Sequence, residues 1–148
     1  MAVDPDVQMW ATAISTHASN GRRIIYRFAK HFKSTFDRTS QPFRIIIAWK
    51  YESENGMPSA EDLQGMNLLE DALGPVLYQD GFATLAIVST GEDLREWTYY
   101  ARSEDEFAAR FNYALIEQPA FPIEIHSACD ANWDMYEQFK VGVKEIVN

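Results

Sequence analysis

The chain is poor in the features that usually announce a function. It has one cysteine, Cys129, in 148 residues, so an intramolecular disulfide and a zinc site built on cysteine pairs are both excluded. Three histidines, His17, His31 and His126, are scattered rather than paired one helical turn apart, which argues against a metal site. Seven glycines are present, none in a G-x-G-x-x-G or G-x-S-x-G setting, so neither a phosphate-cradling loop nor a nucleophile elbow is expected. No apolar run approaches the ~20 residues of a membrane span. Residues 1–6 carry neither the basic start nor the apolar stretch of a secretory signal. Internal repeats, low-complexity tracts and long linkers are missing as well. Together these absences point to a single domain of a reducing cytoplasm, with no membrane contact, no cofactor and no metal.

What is present is enough for a core without covalent staples: 47% of residues are hydrophobic and 14% aromatic, and a domain of this length buries roughly 70% of its unfolded surface. Charge is unevenly distributed. Residues 1–50 hold eight basic and three acidic side chains, a balance of +5, whereas residues 51–148 hold five and nineteen, a balance of −14. Opposite surfaces of this kind partly cancel when they lie near each other. The acidic part also suits docking of a basic partner, and the net charge of −9 disfavours general nucleic-acid binding, which needs a basic footprint.

Read in order, VQMWATAIST (Val7–Thr16) is a strand, Asn20-Gly21 a hairpin turn and 22–32 the returning strand. The run 28–36 carries a helical alternative. Residues 43–51 alternate, with Phe43, Ile45, Ile47, Trp49 and Tyr51 on one face. Ile46 and Ala48 make the other face partly apolar too, as in a central strand. Ser59 caps a helix over 60–73 that Gly74-Pro75 should end or kink, with 76–78 as a brief further turn. A hairpin follows: a strand over 83–90, a turn at 91–94, and a strand to 102 with Arg95, Trp97 and Tyr99 on one face and Glu96, Thr98 and Tyr100 on the other. Ser103-x-x-Glu106 is a capping box for a helix with a Phe107, Phe111, Leu115 stripe. A strand through Phe121, Ile123 and Ile125 and a last helix with Trp133, Tyr136, Phe139 and Val143 complete the chain. From Phe43 onward the order β-α-β-β-α-β defines an α+β domain with a ferredoxin-like core over 43–128. A hairpin extension over 7–36 precedes it and a C-terminal helix over 131–146 follows.

Several ordered features carry a family resemblance: Trp10, Gly56-Met57-Pro58, Leu69-Glu70-Asp71-x-Leu73, Gly91, Arg95-Glu96-Trp97-x-Tyr99-Tyr100, and Asp130-x-x-Trp133-x-x-Tyr136. In these the chain resembles the bacterial domain-of-unknown-function family 695. That family has no established activity, so the resemblance brings no catalytic residues with it. The hairpin-plus-helix unit also looks like that of the small acidic inhibitor of ribonuclease E, regulator of ribonuclease activity B, a likeness of fold.

The densest cluster of functional residue types is Arg95, Glu96, Trp97, Tyr99 and Tyr100, because Trp, Tyr and Arg dominate binding hot spots. Cross-strand packing beneath the helices explains the same aromatics, with Arg95 paired to a nearby carboxylate. The acidic pairs Glu70-Asp71 and Glu92-Asp93 are adjacent in sequence and diverge rather than converge, and Glu104 to Glu106 suit a helix start electrostatically. A His126–Cys129 nucleophile pair lacks an activating element, and a buried or half-buried thiol beside a surface histidine explains both residues. The four tryptophans sit where large core residues go. The expected function is a non-enzymatic, cytoplasmic protein-interaction or regulatory domain with a basic protein partner. The alternative is a small-molecule binder or enzyme with a pocket near the 95–100 strand, and a third reading is homodimerisation through an open sheet face or an edge strand.

Overall fold

Asn20-Gly21 turns the first hairpin: Gly21 sits at φ 68°, and the Asn20 side chain accepts from the Arg22 amide at 2.9 Å. The same logic closes a second hairpin at Glu92-Asp93, where both residues take positive φ (53° and 64°), the requirement of a two-residue turn matched to strand twist. These turns set a computed structural model that describes residues 4–143. Its elements are β1 (Val7–Thr16), β2 (Arg23–Phe32), β3 (Phe43–Lys50), α1 (Ala60–Leu77), β4 (Ala83–Gly91), β5 (Leu94–Ala101), α2 (Glu104–Ala114), β6 (Ile123–Cys129) and α3 (Asp134–Gly142).

The six strands form one antiparallel sheet in the order β1-β2-β4-β5-β3-β6. Four of them, β4-β5-β3-β6, reproduce the split β-α-β order, with β3 central as its two apolar faces require. The N-terminal hairpin lengthens the sheet past β4. Helices α1 and α2 cover one face, where Ile45, Ile47, Trp49, Met66, Leu69 and Phe107 are packed together. On the other face an aromatic cluster of Phe28, Tyr100, Trp133 and Tyr136 is closed by α3, with Tyr26, Phe32, Phe36 and Phe139 around it.

Several expectations are corrected. The run 28–36 is not helical: Phe28 pairs with Ala11 and Phe32 with Val7, and ladder pairing with burial under α3 outweighs its helical spacing. Pro75 does not end α1, which continues to Leu77. Leu73 before the break and Leu77 beyond it are both buried. Arg110 of α2 donates to the Val76 and Gln79 carbonyls at 3.0 and 3.2 Å, capping an end that has no basic residue of its own. Of the positions at helical spacing (Leu63, Met66, Leu69 or Glu70, and Leu73), Leu63 is exposed, while Leu69 and Glu70 are both buried. The last helix is shorter than 131–146: it spans Asp134–Gly142, Val143 is extended, and 144–146 lie outside the described residues. Both serine caps form as expected, Ser59 accepting from the Asp62 amide and Ser103 from the Glu106 amide, each at 3.1 Å.

At the β4 bulge between Leu85 and Ile87 a buried carboxylate completes the backbone. Asp4 accepts from the Leu85 amide at 3.3 Å and the Asp6 amide at 2.9 Å. Burial pushes its pKa from 3.8 up to about 6, against the pull of those two amides. A raised acid pKa means that the folded state holds the proton between pH 3.8 and about 6 while the unfolded chain has lost it. Stability therefore falls as pH rises through that window, by roughly 3 kcal/mol in total from this group. Asp4→Asn should flatten that slope; urea unfolding at pH 4, 5, 6 and 7, compared with the unsubstituted chain, measures the difference.

Candidate functional site

The five clustered residues of β5 divide between the two sheet faces. Arg95, Trp97 and Tyr99 pair across β3 with Trp49, Ile47 and Ile45, so they point under α1 and α2. Trp97 and Tyr99 are inaccessible, and Arg95 is only 8% exposed. Beneath α1 the Glu70 carboxylate accepts from the Trp97 indole at 2.9 Å and from the Arg27 guanidinium at 2.6 Å. Arg27 in turn lies 5.4 Å over the Trp10 ring. One carboxylate thus ties helix α1 to β2 and β5. Among the described residues Arg95 does not pair with a carboxylate as expected. Arg27 reaches Glu70 instead, and Arg95 rests 5.4 Å over the Trp97 ring with no hydrogen-bond partner on its Nε. Burial lowers the Arg95 pKa, and the charge of Glu70 opposes that shift. Among the described residues the buried Tyr99 hydroxyl has no partner either, and its burial raises the phenol pKa well above 10.

On the opposite face Tyr100 is fully buried and lies flat against Trp133, ring centroids 4.0 Å apart at 10°. Its hydroxyl donates to Asp130 at 2.7 Å, and Asp130 also accepts from Arg44 at 3.2 Å and from the Asp134 and Met135 amides at 2.8 and 3.3 Å. Asp130 is therefore the real cap of α3, reaching past Trp133, which occupies the N-cap position in the left-handed region at φ 57°. Burial alone would raise the Asp130 pKa; the hydrogen bonds from Tyr100, the two amides and Arg44 outweigh it and hold the carboxyl below its usual value. The Trp133 indole donates to the Gln41 carbonyl at 3.0 Å.

Glu96 alone of the five remains partly accessible. It lines a groove of about 240 Å³ between α3 and strands β2, β4 and β5, with Tyr26, Ile87, Ser89, Thr98 and Phe139 among the other walls. No ion pair to Glu96 forms among the described residues. The neighbouring carboxylate of the groove, Glu92, lies 3.9 Å from Arg22. The floor of the groove is thus an uncompensated carboxylate among apolar and hydroxyl side chains.

The remaining candidates stay apart. Glu70 is buried and Asp71 exposed, as their adjacent positions on a helix require. Glu104 accepts from the Ser127 hydroxyl, and His126 lies 3.4 Å from Glu124 on the exposed strand β6. Cys129 is exposed, not buried or half-buried: it ends the edge strand β6, which has β3 on one side only. Among the described residues no three metal-ligating side chains converge, and no helix is long and apolar enough to cross a membrane.

Glu70 was a candidate as half of the Glu70-Asp71 pair, but its tie to Arg27 escaped sequence reasoning. Arg27 shared its strand face with Arg23 and Ile25, and nothing local linked it to a helix 43 residues away.

The arrangement defines an α+β domain with a split β-α-β core, one buried polar cluster on each sheet face, and a groove beside its last helix. The chain belongs to the family of unknown function DUF695, whose model matches residues 8–140. No curated protein matches it. Eight of the residues that carried the resemblance meet around the two clusters: Trp10, Glu70, Arg95 and Trp97 on one face, Tyr100, Asp130, Trp133 and Tyr136 on the other.

Proposed function

We propose that this chain is a non-enzymatic protein-interaction domain of the bacterial cytoplasm that binds a basic segment of another protein through the groove beside α3. The carrying observation is Glu96: the fold buries the other four members of its cluster and leaves this carboxylate, without a cation of its own, on the floor of a groove. The net charge of −9 favours approach of a basic partner. The alternative of a small-molecule pocket holding Arg95 with Tyr99 has less support, because that face of the 95–100 strand is packed with Ile47, Trp49, Met66, Leu69 and Trp97.

Capture from lysate tests the reading. The unsubstituted domain should retain a basic protein at about 0.1 M salt and release it at about 1 M, where the screening length shrinks from about 10 Å to about 3 Å. Glu96→Lys should fail to retain it at either concentration. A protein held equally by both versions, or no capture at any salt, would sink the proposal.

A further inference from the structure

The sheet ends at β1 on one side and at β6 on the other. An unpaired edge offers a row of main-chain donors and acceptors, which proteins commonly blunt with bulges, prolines or charges. The β1 edge is irregular, with register shifts on both sides of Met9. The β6 edge is regular: its seven residues, Ile123–Cys129, pair with β3 without a shift. One bond tells which of its main-chain groups are free. The Asp130 amide donates to the Pro42 carbonyl at 2.8 Å, so 42 and 130 form a hydrogen-bonded pair of that ladder. Alternation then turns the main-chain groups of Glu124, His126 and Ala128 toward β3 and leaves those of Ile125, Ser127 and Cys129 pointing outward. The Ile123 carbonyl points outward too, while its N–H donates to the Phe121 carbonyl at 2.9 Å. Ile125 pairs with Ile47 on the face of α1 and α2 and is 44% exposed. Glu124 and His126 lie on the other face, both exposed and 3.4 Å apart.

We infer that β6 pairs antiparallel with β6 of a second copy of this chain, about a two-fold axis through Ile125, so that the sheet continues across both copies. The side chains set the register. An axis at Ile125 places Glu124 of each copy opposite His126 of the other, a carboxylate facing an imidazole on both sides of the axis. These are non-hydrogen-bonded positions, where Cα atoms approach to about 4.5 Å and side chains meet. An axis at Glu124 would oppose two carboxylates. An axis at His126 would set Glu124 against Ala128, and one at Ser127 would set it against Asp130. The Ile125 register also lays the exposed isoleucine against its own copy and removes both from water. Ile125 and its copy exchange both main-chain bonds, and each Ser127 N–H donates to the Ile123 carbonyl of the other copy. The flank of α2 above β6, where Glu104 accepts from the Ser127 hydroxyl, continues through exposed Ala108 and Asn112 at helical spacing. It adds a second layer of contact over the joined strands. A second copy fits this edge better than a foreign strand because the edge is complementary to itself. β3 separates β6 from β5, so the pairing leaves the groove at Glu96 open in each copy and does not rest on the reading above.

Sedimentation equilibrium of the full chain from about 1 μM to about 1 mM should show a reversible monomer–dimer equilibrium. Ile125→Lys, at an exposed position, sets two ammonium groups on the axis and should raise the dimer dissociation constant at least about tenfold. Glu124→Lys and His126→Glu should each do the same, and the two variants mixed in equal amounts should associate again, because each then meets a complementary residue on the other. A folding defect cannot be rescued by mixing. The Ile125 and Ser127 amides should exchange more slowly at the high concentration than at the low one. A monomer over the whole range overturns the inference, as does a dimer that Ile125→Lys leaves intact. Single variants that dissociate and stay apart on mixing overturn the Ile125 register. A dimer lost in Glu96→Lys and kept in Glu124→Lys assigns self-association to the groove and overturns it too.

Discussion

Trp97→Ala is expected to destabilise the domain by about 4–5 kcal/mol, enough to leave a large unfolded fraction at 25 °C if the total lies near the low end of about 5–15 kcal/mol. Two losses combine. The ring is 1% exposed and sits in the helix-face core beside Trp49, 6.5 Å away; truncating such a side chain costs about 3–5 kcal/mol. The indole also donates to Glu70 at 2.9 Å, and its removal leaves a buried carboxylate with one bond fewer, a further cost of about 1 kcal/mol or more. Trp97→Phe separates the two losses, since it keeps most of the apolar volume and deletes only the donor, and it should cost about half as much. Urea unfolding followed by circular dichroism measures both variants. A loss below about 1 kcal/mol for Trp97→Ala would mean that Glu70 and the packing around it do not hold α1 to the sheet.

That result bears on what a sequence can say about a site. Trp97, Tyr99 and Tyr100 have the composition of a binding hot spot, and composition does not record which way a strand faces a helix. The alternation of β5 was legible, as were the two-faced β3, the serine caps and the places of the two hairpin turns, because each depends on residues within a few positions. The split β-α-β order followed from them, and the sheet obeys it. What could not be read were contacts made across the chain. Arg27 meets Glu70 over 43 positions, and Arg110 rescues the end of α1 over 31 and 34. Pro75 was an apparent stop for the same reason: its local cost was visible, while the burial of Leu77 and the capping by Arg110 were not. The groove is the extreme case, since its walls come from β2, β4, β5 and α3, and only the register that puts Ser89 opposite Glu96 brings its polar side chains together.

Asp130→Ala should cost about 3 kcal/mol and should act on α3 before it acts on the sheet. Its carboxylate serves four donors at once, the Tyr100 hydroxyl, the Arg44 guanidinium and two amides at the start of α3. Hydrogen bonds to a charged group contribute about 1.5–3 kcal/mol, and a lost helix cap about 1 kcal/mol. The pH dependence has a definite sign. Because the folded carboxyl titrates below its ordinary value, its contribution is present above the unfolded pKa of 3.8 and is lost as pH falls through the lower folded value. The substitution should therefore remove part of the acid-side fall in stability and leave the profile above pH 5 parallel to that of the unsubstituted chain. Local loosening should show first as faster hydrogen exchange in 134–142 than in β3 and β5, with a weaker near-ultraviolet signal from the Tyr100–Trp133 stack. Since α3 supplies Met135 and Phe139 to the groove, binding of a basic segment should weaken in this variant although Glu96 is untouched. Unchanged exchange in α3 would show that the aromatic cluster, and not Asp130, fixes the helix on the sheet and thereby shapes the groove.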